Sequence, residues 1–429
     1  MSDHSFILRN GRIIDPTTGR DEIGDLAVVD GRVARSDTAK PGSGACPEWD
    51  LAGLVVCPGL IDMHVHLREP GGQDREGIAS GTRAAARGGF TTVLAMPNTD
   101  PPLDSPEALA DLQSRCRADA CVRVLACPAL TMGQEGRKLT DFAALRKAGA
   151  VALSEDGLCL CDNQLMRQAM LLAKHCGLVI LDHCEDAALA GNGVLHDGTV
   201  ARRLGLPGKP RSSEDAVVAR NIVLAAETGC PVHLQHLSSQ FSVALTGWAR
   251  SRGLPVSAEA TPHHLLLTEQ AVLEHGANAK MNPPLRAEQD REALCRAVMQ
   301  GDVEAIASDH APHTRADKQK CLADAANGIV GLESAVALCL TELHHRRGMP
   351  LPSVLARFTA GPRRILNLPG GTLTPGAVAD MVVIDPGEQH TITLENMQSR
   401  ARNTPFAGFE CRGQVKATAV AGKWVYREL

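Results

Sequence analysis

Aromatic residues are scarce in this chain: its 429 residues include 7 Phe, 3 Trp and 1 Tyr. Proteins that bind single-stranded nucleic acid stack the bases on aromatic side chains, so this scarcity argues against such a role. Like charges form no block either, and 44 Lys and Arg residues against 49 Asp and Glu residues give a formal net charge of −5. The charge pattern therefore predicts neither a nucleic-acid stripe nor a membrane-binding patch.

Long apolar runs are also missing. No stretch of about 18 uninterrupted apolar residues occurs, so we expect no membrane-spanning helix. Residues 1–9 lack a basic segment followed by an apolar core, so we expect no secretory signal. The chain has 14 cysteines but no Cys-x-x-Cys pair, since Cys159 and Cys161 are the closest two. We therefore expect reduced, mostly buried thiols in a cytoplasmic protein.

Short β-rich runs occupy both ends of the chain. Near the start, residues 5–16 and 25–36 contain Asn10-Gly11 and Asp30-Gly31, which are typical of tight hairpins. Residues 371–386 and 417–429 have the same character. We predict that residues 1–54 and 366–429 together form one small β-sandwich domain.

Between these ends, short apolar runs alternate with helical stretches such as residues 74–89 and 290–301. The apolar runs cover residues 54–66, 91–98, 122–129, 150–157, 178–186, 231–238, 255–262 and 303–313. Eight β/α units over about 250 residues are typical of a TIM-type barrel. We predict an α/β fold with a (β/α)8 barrel over residues 55–365. A doubly wound open sheet is the alternative, but it usually has fewer strands and no flanking β domain.

Polar residues of metal-ligand type stand at the C-terminal ends of five of these runs. They are His64, His66, Glu155, Asp156, His183, His236 and Asp309. TIM barrels carry their catalytic groups at these strand ends, and burying so many polar groups without partners would be costly. The pattern therefore predicts a metal site. Imidazole and carboxylate ligands without thiolate suit one or two Zn²⁺ ions, with Mn, Co or Fe as alternatives.

Four further polar residues follow the same strands and indicate the substrate: Arg68, Asn98, Asn282 and His313. Arginine presents a planar fork that suits a carboxylate. Asparagine can both donate and accept hydrogen bonds at an amide edge. Together these residue types predict a small, anionic, amide-bearing substrate.

Several longer strings carry a family resemblance. They are PGLIDMHVHLREPG, GGFTTVLAMPNTDPP, LDHCED, HLQHLSS, TPHHLLLTE, MNPPLR, ASDHAPH and GTLTPGAVADMVVIDP, and they spread over nearly the whole chain. On these strings the chain resembles the amidohydrolase superfamily, and within it the dihydroorotases of the long bacterial class. That resemblance implies reversible, zinc-dependent closure of N-carbamoyl-L-aspartate to dihydroorotate and water in pyrimidine synthesis. We also expect a homodimer, and the sequence leaves association with aspartate transcarbamoylase open.

The resemblance further implies a role for each matching position. The metal ligands would be His64, His66 and Asp309 for one ion and His183 and His236 for the other, with Asp156 bridging. Asp309 would also carry the proton. The substrate would contact the side chains of His66, Arg68, Asn98, Asn282 and His313 and the backbone of Asn327 and Gly328.

Two departures from the family pattern leave alternatives open: a lysine is missing from strand four, and Ser154-Glu155-Asp156-Gly157 stands where the class usually reads Thr-Asp-Asp-Gly. Many relatives bridge their metals with a carboxylated lysine on strand four, but here Lys147 precedes that strand. A carboxylate must bridge instead, and we expect Asp156 rather than Glu155. Allantoinase or dihydropyrimidinase activity is one alternative, which the missing lysine and the Arg68–Asn98 pair disfavour. A catalytically silent subunit that scaffolds the transcarbamoylase is the other, although this chain retains all the ligands.

Four neighbouring residues have less defined expectations. His310 and Asp62 adjoin the predicted ligands, and either support of a metal-bound imidazole or a purely structural role remains open for them. His263 and His264 are expected to be structural.

Overall fold

The computed structural model describes residues 4–34 and 46–429. The start of segment 1–9 and the end of the predicted run 25–36 therefore lie outside the described residues. The N-terminal region contributes five strands: β1 (Phe6–Asp15), β2 (Arg20–Val29), β3 (Arg32–Ala34), β4 (Glu48–Asp50) and β5 (Val55–Pro58).

The two predicted hairpin turns have different outcomes. Asp30 and Gly31 connect β2 to β3 as an antiparallel pair, which confirms that prediction. Asn10 and Gly11 instead lie inside β1, where Asn10 has a φ of 58° and the pairing with β2 shifts after Leu8. The prediction there was wrong, because a left-handed residue within a strand can produce a bulge instead of a turn.

Ten strands follow in the middle of the chain. They are β6 (Leu60–Val65), β7 (Phe90–Ala95), β8 (Arg123–Ala126), β9 (Ala152–Ser154), β10 (Val179–Asp182), β11 (Leu195–His196), β12 (Gly208–Lys209), β13 (Val232–Leu234), β14 (Val256–Ala260) and β15 (Ala305–Ile306). All except β11 and β12 belong to a parallel series in chain order. Isolated parallel bridges, Ala129 with Ser154 and Val65 with His310, join β8 to β9 and the last strand to the first. The series is thus a closed eight-stranded barrel, as predicted.

Helices separate and surround the barrel strands. They are α1 (Ile78–Arg87), α2 (Pro106–Asp119), α3 (Phe142–Lys147), α4 (Asn163–Cys176), α5 (Ala187–Ala190), α6 (Thr199–Leu204), α7 (Ser212–Thr228), α8 (Gln240–Ser251), α9 (Pro262–Leu266), α10 (Ala271–His275), α11 (Glu288–Gln300), α12 (Arg315–Lys318), α13 (Ala335–Cys339), α14 (Leu351–Ala356) and α15 (Ala360–Ile365). Short 3₁₀ segments cover Met132–Gln134 and Gly276–Ala279, and Leu340–Arg346 is π-helical. Side-chain caps start several helices, as where Ser105 Oγ accepts a hydrogen bond from Ala108 N. In residues 4–34 and 46–429, no helix combines the length and apolar character that a bilayer crossing requires.

The C-terminal strands complete a second sheet together with the N-terminal ones. They are β16 (Met381–Thr391), β17 (Glu410–Val420) and β18 (Lys423–Arg427). The sheet runs β18-β17-β16-β5-β1-β2-β3, with β4 paired to β1. Phe6, Trp49 and Trp424 pack together in it, with the Phe6 ring centroid 4.7 Å from that of Trp424 and 5.6 Å from that of Trp49. Strands from both termini therefore combine in one sheet, as predicted.

The predicted run 54–66 contains two strands with different partners. β5 pairs with β1 and β16 in the terminal sheet, whereas β6 begins the barrel. Gly59 lies between them, and a Cβ atom at this position would collide with the side chain of Thr91. The chain therefore passes from one sheet to the other through a glycine.

Candidate active site

The six side chains predicted as metal ligands are all buried at the C-terminal end of the barrel. They are His64 in β6, His66 directly after it, and Asp156, His183, His236 and Asp309 after β9, β10, β13 and β15. Parallel strands bring their carboxyl ends to one face of the barrel, which is why positions so distant in sequence converge.

Backbone strain occurs at this face. His236, Asp309 and Arg68 have φ angles of 33°, 46° and 58°. The left-handed region costs a non-glycine residue about 1–2 kcal/mol. Such strain is often stored where a side chain must be aimed at a functional site.

Two groups of three ligands share Asp156. The ligand atoms of His64, His66 and Asp156 lie within 4.8 Å of one another, and so do those of Asp156, His183 and His236. Asp156 Oδ1 lies 3.1 Å from His64 Nε2, and its Oδ2 lies 3.4 Å from His66 Nε2. A carboxylate that belongs to both groups suits a ligand between two cations.

Asp309 faces the first of these groups. Its Oδ1 lies 3.5 Å from His64 Nε2 and 3.3 Å from His66 Nε2. Burial acts to raise the pKa of both Asp309 and Asp156, but the nearby imidazoles, first of all His64, outweigh it and hold each pKa well below its usual range. Two ionised carboxylates at this depth require positive charge beside them.

The imidazoles are held so that they can accept a cation. Nδ1 of His64 lies 2.8 Å from Glu259 Oε1, and Nδ1 of His66 lies 2.8 Å from Asn98 Oδ1. Because these oxygens accept hydrogen bonds, each ring keeps its proton on Nδ1 and presents the Nε2 lone pair to the cluster. His236 Nδ1 is buried and has no hydrogen-bond partner among the described residues. This set of nitrogen and oxygen donors without thiolate fits zinc and related divalent metals.

The neighbours Glu155 and Asp156 have different surroundings. Glu155 accepts hydrogen bonds from Leu130 N at 3.0 Å, from Thr131 N at 3.1 Å and from the Thr131 hydroxyl. Its carboxylate is thus engaged away from the histidines, which favours Asp156 as the bridging ligand. Lys147 is the last residue of α3 and therefore lies ahead of β9, at the other end of the strand from Asp156.

Arg68, His313 and Asn327 lie together beside the metal-ligand cluster. Arg68 Nη2 lies 3.3 Å from His313 Nε2, which is also 2.7 Å from the carbonyl oxygen of Asn327. Burial, reinforced by Arg75, lowers the pKa of Arg68 to about 10. Among the described residues the Arg68 guanidinium forms no ion pair with a carboxylate. Its charge is therefore available to an anionic ligand.

Asn98 and Asn282 contact proposed metal ligands. Asn98 Nδ2 lies 3.4 Å from Asp156 Oδ2, and Asn282 Nδ2 lies 3.1 Å from His183 Nε2. Gly328, the remaining predicted residue, follows Asn327 and donates its N–H to Lys280 O at 2.9 Å. The structure thus brings the predicted substrate residues to the same end of the barrel.

Two residues that contact the site were missed in the sequence. Glu259 in β14 accepts from His64 and lies 3.1 Å from His233 Nε2. A carboxylate within an apolar strand was the available signal for it. Lys209, the last residue of the two-residue strand β12, donates to Asn282 Oδ1 at 2.6 Å, and the sequence pattern around it carried no signal.

The neighbouring residues with open roles are also placed. His310 turns away from the cluster, since its Nε2 lies 3.2 Å from Glu76 Oε2 and its Nδ1 accepts from Gly331 N. Asp62 accepts from the backbone N–H groups of His64 and Ser308 and so ties β6 to β15. Burial raises its pKa to about 7.

His263 and His264 follow β14 at the same end of the barrel. His264 Nε2 lies 3.0 Å from the carbonyl oxygen of Pro283, so His264 supports the turn after Asn282. His263 is buried, and its Nε2 has no hydrogen-bond partner among the described residues.

Comparison with known sequences gives full-length relatives. A family model described as dihydro-orotase-like matches residues 53–242. A dihydroorotase of Pelotomaculum thermopropionicum is 43% identical over 423 residues, which cover 99% of each chain. One of Clostridioides difficile is 41% identical over 421 residues, covering 98% of this chain and 99% of the relative.

Comparison with solved structures gives the same architecture at lower identity. The L-hydantoinase (dihydropyrimidinase) of Arthrobacter aurescens superposes with a TM-score of 0.88 at 24% identity, covering 99% of this chain and 96% of that one. A dihydropyrimidinase of Brevibacillus agri gives a TM-score of 0.86 at 22% identity, with 99% and 95% covered. At these identities the likeness concerns the fold alone.

Proposed function

This chain belongs to the dihydroorotase family, and on that premise we propose that it interconverts N-carbamoyl-L-aspartate and (S)-dihydroorotate, releasing or consuming water, in pyrimidine biosynthesis. One observation carries the proposal: Asp156 joins two imidazole groups at the end of the barrel, and nearby lies Arg68, which has no carboxylate partner among the described residues. The first feature suits hydrolysis of an amide, and the second suits a substrate that carries a carboxylate.

We assign the ligands of two zinc ions as follows. His64, His66 and Asp309 would hold one ion, His183 and His236 the other, and Asp156 both. Zinc bound there would lower the pKa of a water ligand and polarise an amide carbonyl. Two observations support this assignment. His64 Nε2 and His236 Nδ1 are buried without a hydrogen-bond partner among the described residues, and the pKa of Asp156 is held well below its usual range.

Asp309 is the proposed proton carrier. In the hydrolytic direction its carboxylate takes a proton from the attacking water and gives it to the leaving ring nitrogen. In the cyclising direction the same carboxylate takes the proton of the ureido nitrogen. Its position 3.3 Å from His66 Nε2, inside the cluster, supports this role.

Arg68 and His313 would hold the α-carboxylate, with Asn98 beside them. Asn282 and the backbone of Asn327 would meet the amide edge of the ring. The backbone of Gly328 would only shape the loop there, because its N–H donates to Lys280 O and its carbonyl accepts from Lys318 Nζ and Asn403 Nδ2. The carboxylate contact distinguishes dihydroorotate from uncharged cyclic ureides such as dihydrouracil, because a buried guanidinium would be left unpaired with the latter.

The deciding experiment compares substrates on the purified chain. Dihydroorotate, N-carbamoyl-L-aspartate, allantoin and dihydrouracil are assayed side by side, before chelation, after chelation and after zinc is restored. We expect turnover of dihydroorotate and N-carbamoyl-L-aspartate only. This activity should be lost after chelation and regained after zinc is restored, and metal analysis should give one or two zinc ions per subunit. Preference for allantoin or dihydrouracil would reassign the substrate, and zinc binding without any turnover would indicate a silent subunit.

We also propose a cytoplasmic homodimer that associates with aspartate transcarbamoylase. All 14 cysteines are free thiols, which suits a reducing compartment. Light scattering of the chain alone and mixed with the transcarbamoylase tests both points. A monomeric mass for the chain alone would contradict the homodimer, and an unchanged mass on mixing would contradict the association.

A further inference from the structure

Two lysines are buried beside the loop that carries Asn327. Lys280 is 5% exposed and Lys318, the last residue of α12, is 9% exposed. Lysine is almost never buried this deeply unless its ammonium group is paired. Within the described residues, neither ammonium forms an ion pair with a carboxylate.

Backbone carbonyls of a single loop, residues 323–328, satisfy both ammonium groups instead. Lys280 Nζ donates to the carbonyl oxygens of Ala323 and Ala325 and Lys318 Nζ to those of Ala326 and Gly328, all at 2.7–2.9 Å. Lys318 Nζ also donates to the Lys280 carbonyl oxygen at 3.4 Å. The loop is also tied to the backbone of Lys280, whose carbonyl accepts from Gly328 N at 2.9 Å. Hydrogen bonds from charged donors are stronger than neutral ones, so the two lysines define the path of this loop.

The loop leads directly to the substrate side of the candidate active site. The Asn327 carbonyl, between the carbonyls that Lys318 holds, lies 2.7 Å from His313 Nε2. The charge of Lys318 also reaches this ring, because burial, Arg68 and Lys318 together lower the pKa of His313 to about 3. The lysines thus influence His313 through a hydrogen-bonded loop, and Lys318 also influences it through its charge.

We propose that Lys280 and Lys318 are positioning residues for the anionic substrate. They hold loop 323–328 so that the Asn327 carbonyl orients His313, and their ammonium groups lie behind the carboxylate-binding residues. Burial, reinforced by Lys280, lowers the pKa of Lys318 to about 7, so a carboxylate bound nearby would favour the charged form of Lys318. A substrate carboxylate in the site would add negative charge to the part that Asp324 and Asp317 already provide for these two lysines. This inference rests on the proposed function, since it assumes that Arg68 and His313 bind a substrate carboxylate.

Steady-state kinetics of the zinc-loaded, full-length chain test the proposal. Lys318→Gln keeps hydrogen-bond donors but removes the charge, whereas Lys318→Arg keeps both. We expect Lys318→Gln and Lys280→Gln to raise KM for dihydroorotate and N-carbamoyl-L-aspartate about tenfold, which is the effect of one modest charged interaction, while kcat changes far less. Lys318→Arg should restore most of the KM.

The matched control is Lys174→Gln. Lys174 Nζ donates to the carbonyl oxygen of Thr228 at 2.8 Å, at the opposite end of the barrel, and its removal should leave KM unchanged. KM does not depend on the fraction of folded enzyme, so partial unfolding of a variant does not hide the result. Should Lys318→Gln not fold, Lys280→Gln makes the same test.

Two failures can be told apart. A wild-type chain without dihydroorotate turnover contradicts the proposed function. A wild-type chain with turnover, combined with unchanged KM in both glutamine variants, contradicts only the positioning role, even if the variants melt at lower temperature.

Discussion

Adjacent carboxylates at the end of β9 have opposite surroundings. Glu155 is surrounded by backbone N–H groups of the preceding segment, and Asp156 by imidazoles. From the sequence alone, the choice of Asp156 over Glu155 as the bridging ligand rested on the family resemblance. Either carboxylate could reach the barrel axis from the end of a strand.

The first prediction separates these two residues. Asp156→Asn should lower zinc content and abolish most turnover, because the shared ligand of both groups loses its charge. Glu155→Gln should keep zinc and lose about 1–3 kcal/mol of folding stability, since it weakens buried hydrogen bonds. Metal analysis and denaturant unfolding of both variants check this. Zinc loss in Glu155→Gln alone would reverse the assignment.

The second prediction concerns the proton carrier. Asp309→Asn, loaded with as much metal as the wild type, should bind dihydroorotate yet lose about 10²–10⁴-fold in kcat, the usual contribution of positioned proton transfer. Asp302→Asn is the control, because Asp302 precedes β15 at the opposite end of the barrel. Wild-type kcat in metal-replete Asp309→Asn would refute the assigned role.

At the scale of elements, the sequence predicted the barrel strands well. It did not predict where the terminal sheet ends and the barrel begins. Each of the eight apolar runs overlaps a barrel strand, and residues 74–89 and 290–301 overlap α1 and α11. The change of sheet at Gly59 was not predictable, because apolar residues continue through it and only the three-dimensional path reveals the close approach to Thr91.

That junction gives the third prediction. Gly59→Ala should destabilise the chain by about 1–3 kcal/mol, the typical effect of overpacking, because its methyl group would overlap Thr91. Gly24→Ala in β2 is the control, since a Cβ there would be 3.9 Å from its nearest neighbour, Ile13 Cδ1. Thermal unfolding at equal zinc content measures both. Equal midpoints would contradict the account of the junction.

Strand ends were also where the site could be read from sequence. The period of a strand and the polarity of its last residues indicate His64, His66 and Asp309 without a structure. Glu259 and Lys209 could not be found in this way, because their contacts depend on which strands and loops the closed barrel places side by side.

For the whole molecule, the proposed zinc ligands come from five strands distributed around the barrel. The unfolded chain cannot present them together, so metal should bind the folded state far more tightly. Free zinc at about 100 times its dissociation constant would add about 2.7 kcal/mol of stability.

The fourth prediction follows from that linkage. Chelation should lower the thermal midpoint and abolish turnover, and zinc should restore both. Calcium, which prefers larger sets of oxygen ligands, is the control and should restore neither. Differential scanning calorimetry alongside the activity assay measures the effect. An unchanged midpoint after verified zinc removal would contradict it.

The bridge between Val65 and His310 joins the earliest barrel strand to the latest. During synthesis on the ribosome, His64 and His66 therefore emerge long before Asp309, because most of the barrel is translated between them. A polypeptide released early would present two imidazoles without the acid that completes their metal set. The proposed metal set of this protein is therefore complete only once the last barrel strand has been made and paired with the first.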